Sequence, residues 1–432
     1  MQMEDFIKTI TPYLIKTRRR IHQYPEVAWT EYITTATIAE ELKSLSFSLS
    51  MGKEVLESSK RMGLPTYEEI ANNERRAKER GISSHYLDKM KDAHTGLVAK
   101  FNTRKPGKHI VLRFDIDALP IDESVESGHI PADHGFSSAR PGYMHACGHD
   151  GHAAIGIGVA HFIHAFQAEL TGRYTLLFQP GEEGGRGAKP MVDKGLLDKA
   201  DYFISGHIGI HSLKIGDIAA TTNKFLASTK INAVYHGKSA HAGLEPNEGK
   251  NALLAAAAAT LHLNGITRHA DGQTRINIGK LEAGSGRNIV ADYAKMEIET
   301  RGETTELNED YMVPEAIRIL KASAALYDVD PEIEVMGFAP SEECSPEWTN
   351  IVEKAARESF SIKKVIPVLP MGASEDATFM LQRVKKVGGS ATYMIFGTPL
   401  AAGHHHPQFD FDEEVLSVAV EAIGRVILQL QK

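Results

Sequence analysis

A dense group of potential metal ligands lies at residues 144–152. From His145 to His152 the chain places one cysteine, three histidines and one aspartate within eight consecutive residues. Thiolate and imidazole are the ligands that zinc and neighbouring transition metals prefer, and such side chains are costly to bury without a partner. Gly148 and Gly151 allow tight backbone turns, so that these side chains can converge on one point. The segment indicates a metal site, and a histidine-rich loop without a metal is the alternative.

A pair of adjacent carboxylates forms the second candidate group. Glu182 and Glu183 follow Pro180-Gly181 and precede Gly184-Gly185, which predicts an irregular turn. On a regular strand the two side chains would point to opposite faces. On a turn both can approach one site, with Glu183 on a metal and Glu182 free as a general base for hydrolysis. A solvated surface dipeptide is the alternative, and the flanking glycines favour the site.

Two histidines further along the chain complete the candidate ligand set. His207 follows the apolar stretch 201–206 and is either a ligand or a core histidine, and the triplet 404–406 lies in a loop where one or two members can reach a metal. The set exceeds the three or four protein ligands of one open zinc site, so two metals with a bridging ligand fit better. Asp115 and Asp117 suit a role behind the ligands, where they would orient imidazoles. The predicted ligands are Cys147, His149, Glu183, His207 and His405.

The hydrophobic pattern shows which elements must position these residues. Apolar spacing near 3.6 predicts helices at 5–22 and 30–45, and the polar stretch 51–93 reads as a mostly helical surface insertion. Strands and helices then alternate, which indicates an α/β domain with a mostly parallel sheet and chemistry at the carboxyl ends of its strands. The predicted elements of this part are strands at 109–115, 173–179 and 202–206 and a helix at 151–166.

The pattern changes near residue 222. Residues 223–337 read as β-α-β-β-α-β, the split arrangement of a ferredoxin-like α+β sandwich. After this insert the α/β pattern resumes with predicted helices and strands at 347–360, 364–369, 374–384, 391–396 and 412–430. We therefore expect a discontinuous catalytic domain, 1–222 and 338–432, interrupted by a second domain at 223–337.

Composition excludes several classes of protein. The 432 residues are 42% hydrophobic and 24% charged, which is ordinary for a globular protein. A net charge of −8 argues against a nucleic-acid partner or an anionic membrane, and no apolar run approaches the length of a membrane span. Two cysteines are too few for a disulfide framework, and the absence of a signal-peptide pattern predicts a cytoplasmic protein. The basic run 16–20 reads as a helix face or as ion-pair partners.

Several motifs resemble those of the di-metal amidohydrolases of the aminoacylase and carboxypeptidase superfamily, which include hippurate hydrolase. The resemblance covers nearly the whole chain and rests on residues 20–26, 113–120, 147–152, 179–184 and 236–242. The insertion around 57–65, with the stretches 284–288, 374–378 and 401–405, more closely resembles the A-type branch of the bacterial aminobenzoyl-glutamate hydrolases.

The resemblance implies a role for each matching residue. It makes Cys147 a bridging or terminal metal ligand beside the other four, and Glu182 the general base and acid. In the inserted dimerisation or lid domain, His241 would polarise the scissile carbonyl in the active site of a partner subunit. Asn288 and Arg301, thirteen residues apart and expected on neighbouring strands, would hold the carboxylate of the substrate, and a guanidinium suits that task. A turn role for Asn288 and a surface role for Arg301 are the alternatives.

The function implied is hydrolysis of the amide bond of an N-acyl amino acid, with N-(4-aminobenzoyl)-glutamate as the expected substrate. The cofactors would be two divalent ions per subunit, zinc or manganese. The assembly would be a homodimer or a heteromer with a related B-type partner. Within this class, a general aminoacylase or dipeptidase is the alternative. Outside it, the alternative is a non-catalytic metal-binding protein paired with an active partner, and the presence of both Glu182 and Glu183 argues against that reading.

Overall fold

The computed structural model describes residues 2–432 and divides into two compact units. The first comprises the chain up to Asn223 together with Glu343–Met371 and Phe379–Lys432. The second comprises Lys224–Glu342 and Gly372–Thr378. The assignment of catalysis to 1–222 and 338–432 and of dimerisation to 223–337 remains a proposal.

The secondary structure alternates through the first unit and regroups in the second. In chain order the strands are β1 Ser48–Met51, β2 Leu97–Asn102, β3 His109–Asp115, β4 Arg173–Gln179, β5 Tyr202–Ile208, β6 Asp217–Asn223, β7 Ala227–His236, β8 Thr274–Ala283, β9 Tyr293–Gly302, β10 Asp330–Ala339, β11 Lys364–Pro370 and β12 Ser390–Phe396. The α-helices are α1 Met3–His22, α2 Tyr32–Leu42, α3 Tyr67–Glu79, α4 Ser84–Lys89, α5 Ile130–Asp133, α6 His149–Ala165, α7 Ala188–Asp193, α8 Ala252–Asn264, α9 Val313–Leu326, α10 Trp348–Ala356, α11 Thr378–Lys386 and α12 Glu414–Gln429. A π-helical turn, Leu307–Met312, precedes α9.

The first unit is built on a mixed eight-stranded sheet in the order β1-β2-β4-β3-β5-β12-β6-β11. Its central pairs β4–β3, β3–β5 and β5–β12 are parallel, as is β6–β11 at one edge. The pairs β1–β2, β2–β4 and β6–β12 are antiparallel. The predicted α/β class with a mostly parallel sheet is confirmed, although the sequence pattern did not predict β1, β2 and β6.

Glycines let α6 pack closely against the sheet and its neighbouring helices. A Cβ atom at Gly156 would lie 2.6 Å from the Phe178 ring of β4, and one at Gly158 would lie 2.7 Å from Val420 of α12. Because larger residues cannot fit there, α6 sits deep in the core between α1, α12 and the sheet. The amino end of α6 lies at the carboxyl ends of the strands, where His149 contacts the backbone of Asp117, two residues after β3.

The second unit has the order β7-α8-β8-β9-α9-β10, and its sheet order is β10-β7-β9-β8 with every pair antiparallel. This is the predicted ferredoxin-like arrangement. A separate apolar core, which includes Ala255, Met296 and Leu320, joins α8 and α9 to one face of the sheet.

The polar insertion folds as predicted into mostly helical structure, with α3, α4 and the 3-10 turns Gly52–Glu54 and Ser58–Lys60. α3 begins with a capping box in which Thr66 and Glu69 satisfy each other's backbone N–H groups. Within residues 2–432 no helix is long and apolar enough to cross a membrane.

Candidate metal centre

The cysteine- and histidine-rich segment forms a loop and the first turn of α6. Gly148 adopts a left-handed conformation, φ 85°, and caps the helix that begins at His149, two residues earlier than the sequence predicted. Nδ1 of His149 donates a hydrogen bond of 2.9 Å to the backbone carbonyl of Asp117. This bond fixes the tautomer and leaves Nε2 as the free ligand atom.

The two glutamates lie on the predicted irregular turn, which buried carboxylates hold in place. The backbone N–H of Gly181 donates to Glu31 over 2.8 Å. The N–H groups of Glu182 and Glu183 donate to the two carboxylate oxygens of Asp117, both over 3.0 Å. Three consecutive amides are thus directed at acceptors on one side, so the turn has one defined conformation.

The turn is also braced by the insertion and its flanks. Nη1 of Arg186 donates to the carbonyl of Gly63 over 3.2 Å, and the hydroxyl of Thr95 donates to Glu31 over 2.5 Å. Burial, together with the negative charge of Asp117, raises the pKa of Glu31 well above its ordinary value. Sequence reasoning missed Glu31, because a single glutamate after Thr30 carries no motif.

The other two predicted ligands come from β5 and the C-terminal loop. His207 lies inside β5, which extends to Ile208 rather than ending at residue 206. Its Nδ1 donates to the carbonyl of Ile208 over 2.8 Å, and its Nε2 lies 3.4 Å from Sγ of Cys147. His405 adopts a left-handed φ of 64°, and its Nε2 lies 3.3 Å from Oε1 of Glu183.

The potential ligand atoms converge in overlapping groups whose members lie within 4.8 Å of one another. One group joins Cys147, His149 and His207, and another joins Cys147, Glu183 and His405. Cys147 belongs to both groups, which is the position that a bridging ligand requires. Glu182 also lies within 4.8 Å of His149 and Glu183, so the carboxylate predicted to be the general base lies beside the cluster.

The donor set fits divalent metal ions. Oε1 of Glu183 is buried and accepts no well-formed hydrogen bond from the described residues, although Nε2 of His405 lies 3.3 Å away, and an oxygen in that state is expected to bind a cation. The neighbouring side chains of Cys147 and Glu183 raise the pKa of His405 to about 11. Burial alone would raise the pKa of Glu183, but His405 outweighs it and lowers that pKa. The cluster therefore favours a positive charge, here an imidazolium proton, at the place where a metal ion would lie.

Other histidines in the vicinity are committed elsewhere. Nδ1 of His152 bonds to Asp115, and its Nε2 accepts the backbone N–H of Ile208 over 3.0 Å. Nε2 of His404 contacts the carbonyl of Ile208 over 3.2 Å, and burial lowers the pKa of His404 to about 4. Asp115 therefore orients His152, and the closest approach of its carboxylate to the predicted ligand His149 is 3.8 Å.

A buried arginine joins the segments that carry His149 and His405. Arg18 of α1 is fully buried; its Nε lies 2.7 Å from Asp150 and its Nη2 lies 2.6 Å from Asp410. The basic run 16–20 does supply ion-pair partners, but no sequence pattern indicated that these partners lie behind the candidate metal centre.

The residues predicted to bind substrate lie in the second unit. Nδ1 of His241 accepts the backbone N–H groups of Gly243 and Leu244 over 3.2 and 3.1 Å. Its proton therefore resides on Nε2, which makes the exposed imidazole a hydrogen-bond donor. The carbonyl of Asn288 accepts the N–H of Ala242 over 3.0 Å, so these two predicted residues belong to one neighbourhood.

Arg301 occupies a different place. The prediction that Asn288 and Arg301 lie on neighbouring strands is wrong, because Asn288 lies in the turn before β9 and Arg301 lies near the far end of β9. From Tyr293 to Arg301 the strand rises roughly 25 Å. Nε and Nη2 of Arg301 donate to Glu299 over 2.9 and 3.1 Å.

An α/β sheet that carries thiol, imidazole and carboxylate groups at the carboxyl ends of its strands is the arrangement expected of a metal-dependent hydrolase. The sequence matches Peptidase family M20/M25/M40 over residues 111–429, and the chain belongs to this family of hydrolytic enzymes that act on amide bonds.

Three relatives are similar along almost their whole length. The A-type subunit of p-aminobenzoyl-glutamate hydrolase from Escherichia coli (strain K12) is 42% identical, with 99% of this chain and 98% of the relative covered. The indole-3-acetyl-aspartic acid hydrolase of Enterobacter agglomerans is 41% identical over the same shares. The crystal structure of the aminobenzoyl-glutamate utilization protein from Klebsiella pneumoniae superimposes with a TM-score of 0.85, at 35% identity, over 99% of this chain and 98% of that one.

Proposed function

We propose that this protein is a two-metal amidohydrolase whose ligands are Cys147, His149, Glu183, His207 and His405. The convergence of their donor atoms around Cys147 carries the proposal. Thiolate, imidazole and carboxylate together suit zinc, and manganese is the alternative. When bound, the ions would lower the pKa of a water molecule and polarise the scissile carbonyl.

The residues around the cluster supply the proton chemistry. Glu182 lies beside the ligands, held by its backbone bond to Asp117, and would take a proton from the attacking water and deliver it to the leaving nitrogen. The Nε2–H of His241 has the correct tautomer to donate a hydrogen bond to the developing oxyanion. Asp117 orients His149 and holds the turn, and Asp115 orients His152.

The substrate class is inferred from the relatives. One is named for aminobenzoyl-glutamate and another for indole-3-acetyl-aspartate. Both compounds join an aromatic acyl group through an amide to an acidic amino acid. We infer a substrate of that class, with N-(4-aminobenzoyl)-glutamate first and the indole-3-acetyl-aspartate type second. General aminoacylase or dipeptidase activity is the broader alternative.

The arrangement of the second unit supports a partner in the assembly. His241 and Asn288 lie at one end of its sheet, and Arg301 lies near the other end. The three side chains of one copy therefore cannot all contact a single small substrate. We propose that one protomer contributes Arg301 and its partner contributes His241 and Asn288. The partner is either a second copy of this chain or a related B-type subunit of a heteromer.

We also propose a cytoplasmic location for the protein.

The test uses the purified full-length protein, freed of metal by a chelator and then reconstituted with zinc or manganese. Hydrolysis of aminobenzoyl-glutamate and of indole-3-acetyl-aspartate is monitored by measuring the 4-aminobenzoate or indole-3-acetate that is released. We expect no turnover without metal and restored turnover with it. If the reconstituted protein holds two ions per chain yet cleaves neither compound nor any acyl-amino acid in a panel, a non-catalytic metal-binding role is the better account.

A further inference from the structure

A groove of about 940 Å³ lies at the end of the sheet opposite the candidate metal centre. His109, which begins β3, and Arg173, which begins β4, both line it. The candidate centre lies beyond Asp115 and Gln179, where the same two strands end. At the usual rise of a strand, these seven-residue segments separate the two places by roughly 20 Å.

The lining of the groove is strongly basic, although the whole chain has a net charge of −8. Its acidic members are Glu54 and Asp198, and Asp198 already pairs with Arg383 at 2.7 Å. None of the basic side chains in the groove forms an ion pair in the part of the chain that the structure describes. Unpaired like charges repel one another, and a bound anion would relieve that repulsion. The basic residues are Lys100, Arg104, Arg173, Lys194 and Lys199.

A buried polar group also lines the groove. Tyr174 is fully buried, and its hydroxyl has no hydrogen-bond partner among the described residues. A hydroxyl removed from water without a partner is unfavourable, and a ligand atom that reached it from the groove would supply the missing bond. This observation is independent of the charge pattern.

One wall of the groove is fixed before any ligand binds. Nδ1 of His109 donates to the backbone carbonyl of Lys199 over 2.9 Å, and Nε2 of the same ring contacts the Thr175 hydroxyl over 2.9 Å. Because the ring links the 194–199 loop to the sheet, the backbone at Lys199 is held in one position before an anion binds. A preformed basic wall loses less conformational freedom when it binds an anion.

We propose that this groove binds a compact anion with three or more negative charges. Several acidic oxygens of the anion would pair with the basic side chains, and one would accept a hydrogen bond from the hydroxyl of Tyr174. Polyphosphates and tricarboxylates share this chemistry. The site is separate from the candidate metal centre and does not depend on the proposed function.

The experiment is isothermal titration of the full-length protein with inorganic tripolyphosphate and, separately, with citrate. The double variant Arg173→Gln/Lys194→Gln removes two exposed charges from the groove. The matched control Lys16→Gln/Lys354→Gln removes two exposed charges elsewhere, so both variants have the same net charge. All proteins carry the same metal content, so chelation by either anion affects them equally.

We expect one anion per chain for the wild type, at least about tenfold weaker binding in the groove variant, and little change in the control. Tyr174→Phe should weaken binding while leaving the melting temperature near that of the wild type. Tighter binding of tripolyphosphate would identify phosphates as the ligand source, and tighter binding of citrate would identify polycarboxylates. No saturable binding, equal losses in groove and control variants, or binding that persists unchanged in the groove variant would overturn the proposal.

Discussion

Asp117 contacts His149 through its backbone carbonyl, which accepts the Nδ1–H of the imidazole over 2.9 Å. The carboxylate of the same residue accepts the N–H groups of Glu182 and Glu183. One aspartate therefore positions the first turn of α6 and the turn that bears both glutamates.

Replacing Asp117 by asparagine should weaken the metal centre without removing a ligand. An amide offers one acceptor oxygen where the carboxylate offers two, so one of the two turn amides loses its partner. We expect metal affinity or activity to fall about 10–100-fold. Metal content after dialysis and kcat/KM are the measurements, with exposed Asp88→Asn as the control. Unchanged metal content and kcat/KM for Asp117→Asn would show that the turn keeps its conformation without the carboxylate of Asp117.

The adjacent glutamates should separate into two roles. Glu182→Gln removes the proposed base but leaves the ligand cluster, so metal content should stay near normal while kcat falls by roughly 10²–10⁴ or more. Glu183→Gln should lose metal. The opposite pattern, with metal lost in Glu182→Gln and activity kept in Glu183→Gln, would reverse the assignment.

Much of the candidate metal centre could be predicted from residue type and spacing, because its potential ligands follow strands or lie at the start of a helix. The turn at Glu182 and Glu183 is such a case, since its glycines indicate irregular backbone. Arg18 and Glu31 could not be predicted, because their partners are distant in sequence and no local pattern marks a buried charge. The wrong placement of Asn288 beside Arg301 arose because a separation of thirteen residues does not show where a strand begins.

The same limit applies to the fold. β3, β4 and β5 are apolar runs bounded by polar residues and were predicted from that pattern. β1 has only four residues and begins at the exposed Ser48, and β6 runs into the change of pattern near residue 222, so neither stands out. Their places in the sheet depend on pairing with distant strands, which periodicity does not encode.

Stability should fall as the pH rises above neutrality, because of His22. Burial would lower the pKa of this histidine, but its hydrogen bonds to Asp150 and Glu123 raise it to about 9. The protonated His22 therefore stabilises the folded state, and this stabilisation is complete below about pH 6.5. As the pH rises towards 9, the free energy of unfolding should fall by up to roughly 3 kcal/mol. Urea unfolding at pH 6.5 and pH 9 measures this loss.

His22→Gln should flatten that dependence, whereas His262→Gln, which changes an exposed histidine of α8, should keep it. If the wild type and His22→Gln lose the same stability between the two pH values, another group is responsible.

The proposed action of His241 in a partner protomer predicts complementation. Glu182→Gln and His241→Ala should each be nearly inactive, but a mixed dimer contains one site with both native residues. Refolding the two variants together should restore activity above either parent. If mixed dimers form and activity stays at the level of the parents, His241 acts within its own chain or has no catalytic role.

Elemental analysis of the purified protein tests the two-metal account most directly. The account predicts up to two divalent ions per chain in the wild type and a lower number in Cys147→Ala and in His405→Ala, since each variant removes a converging ligand. Full metal occupancy in both variants would contradict it.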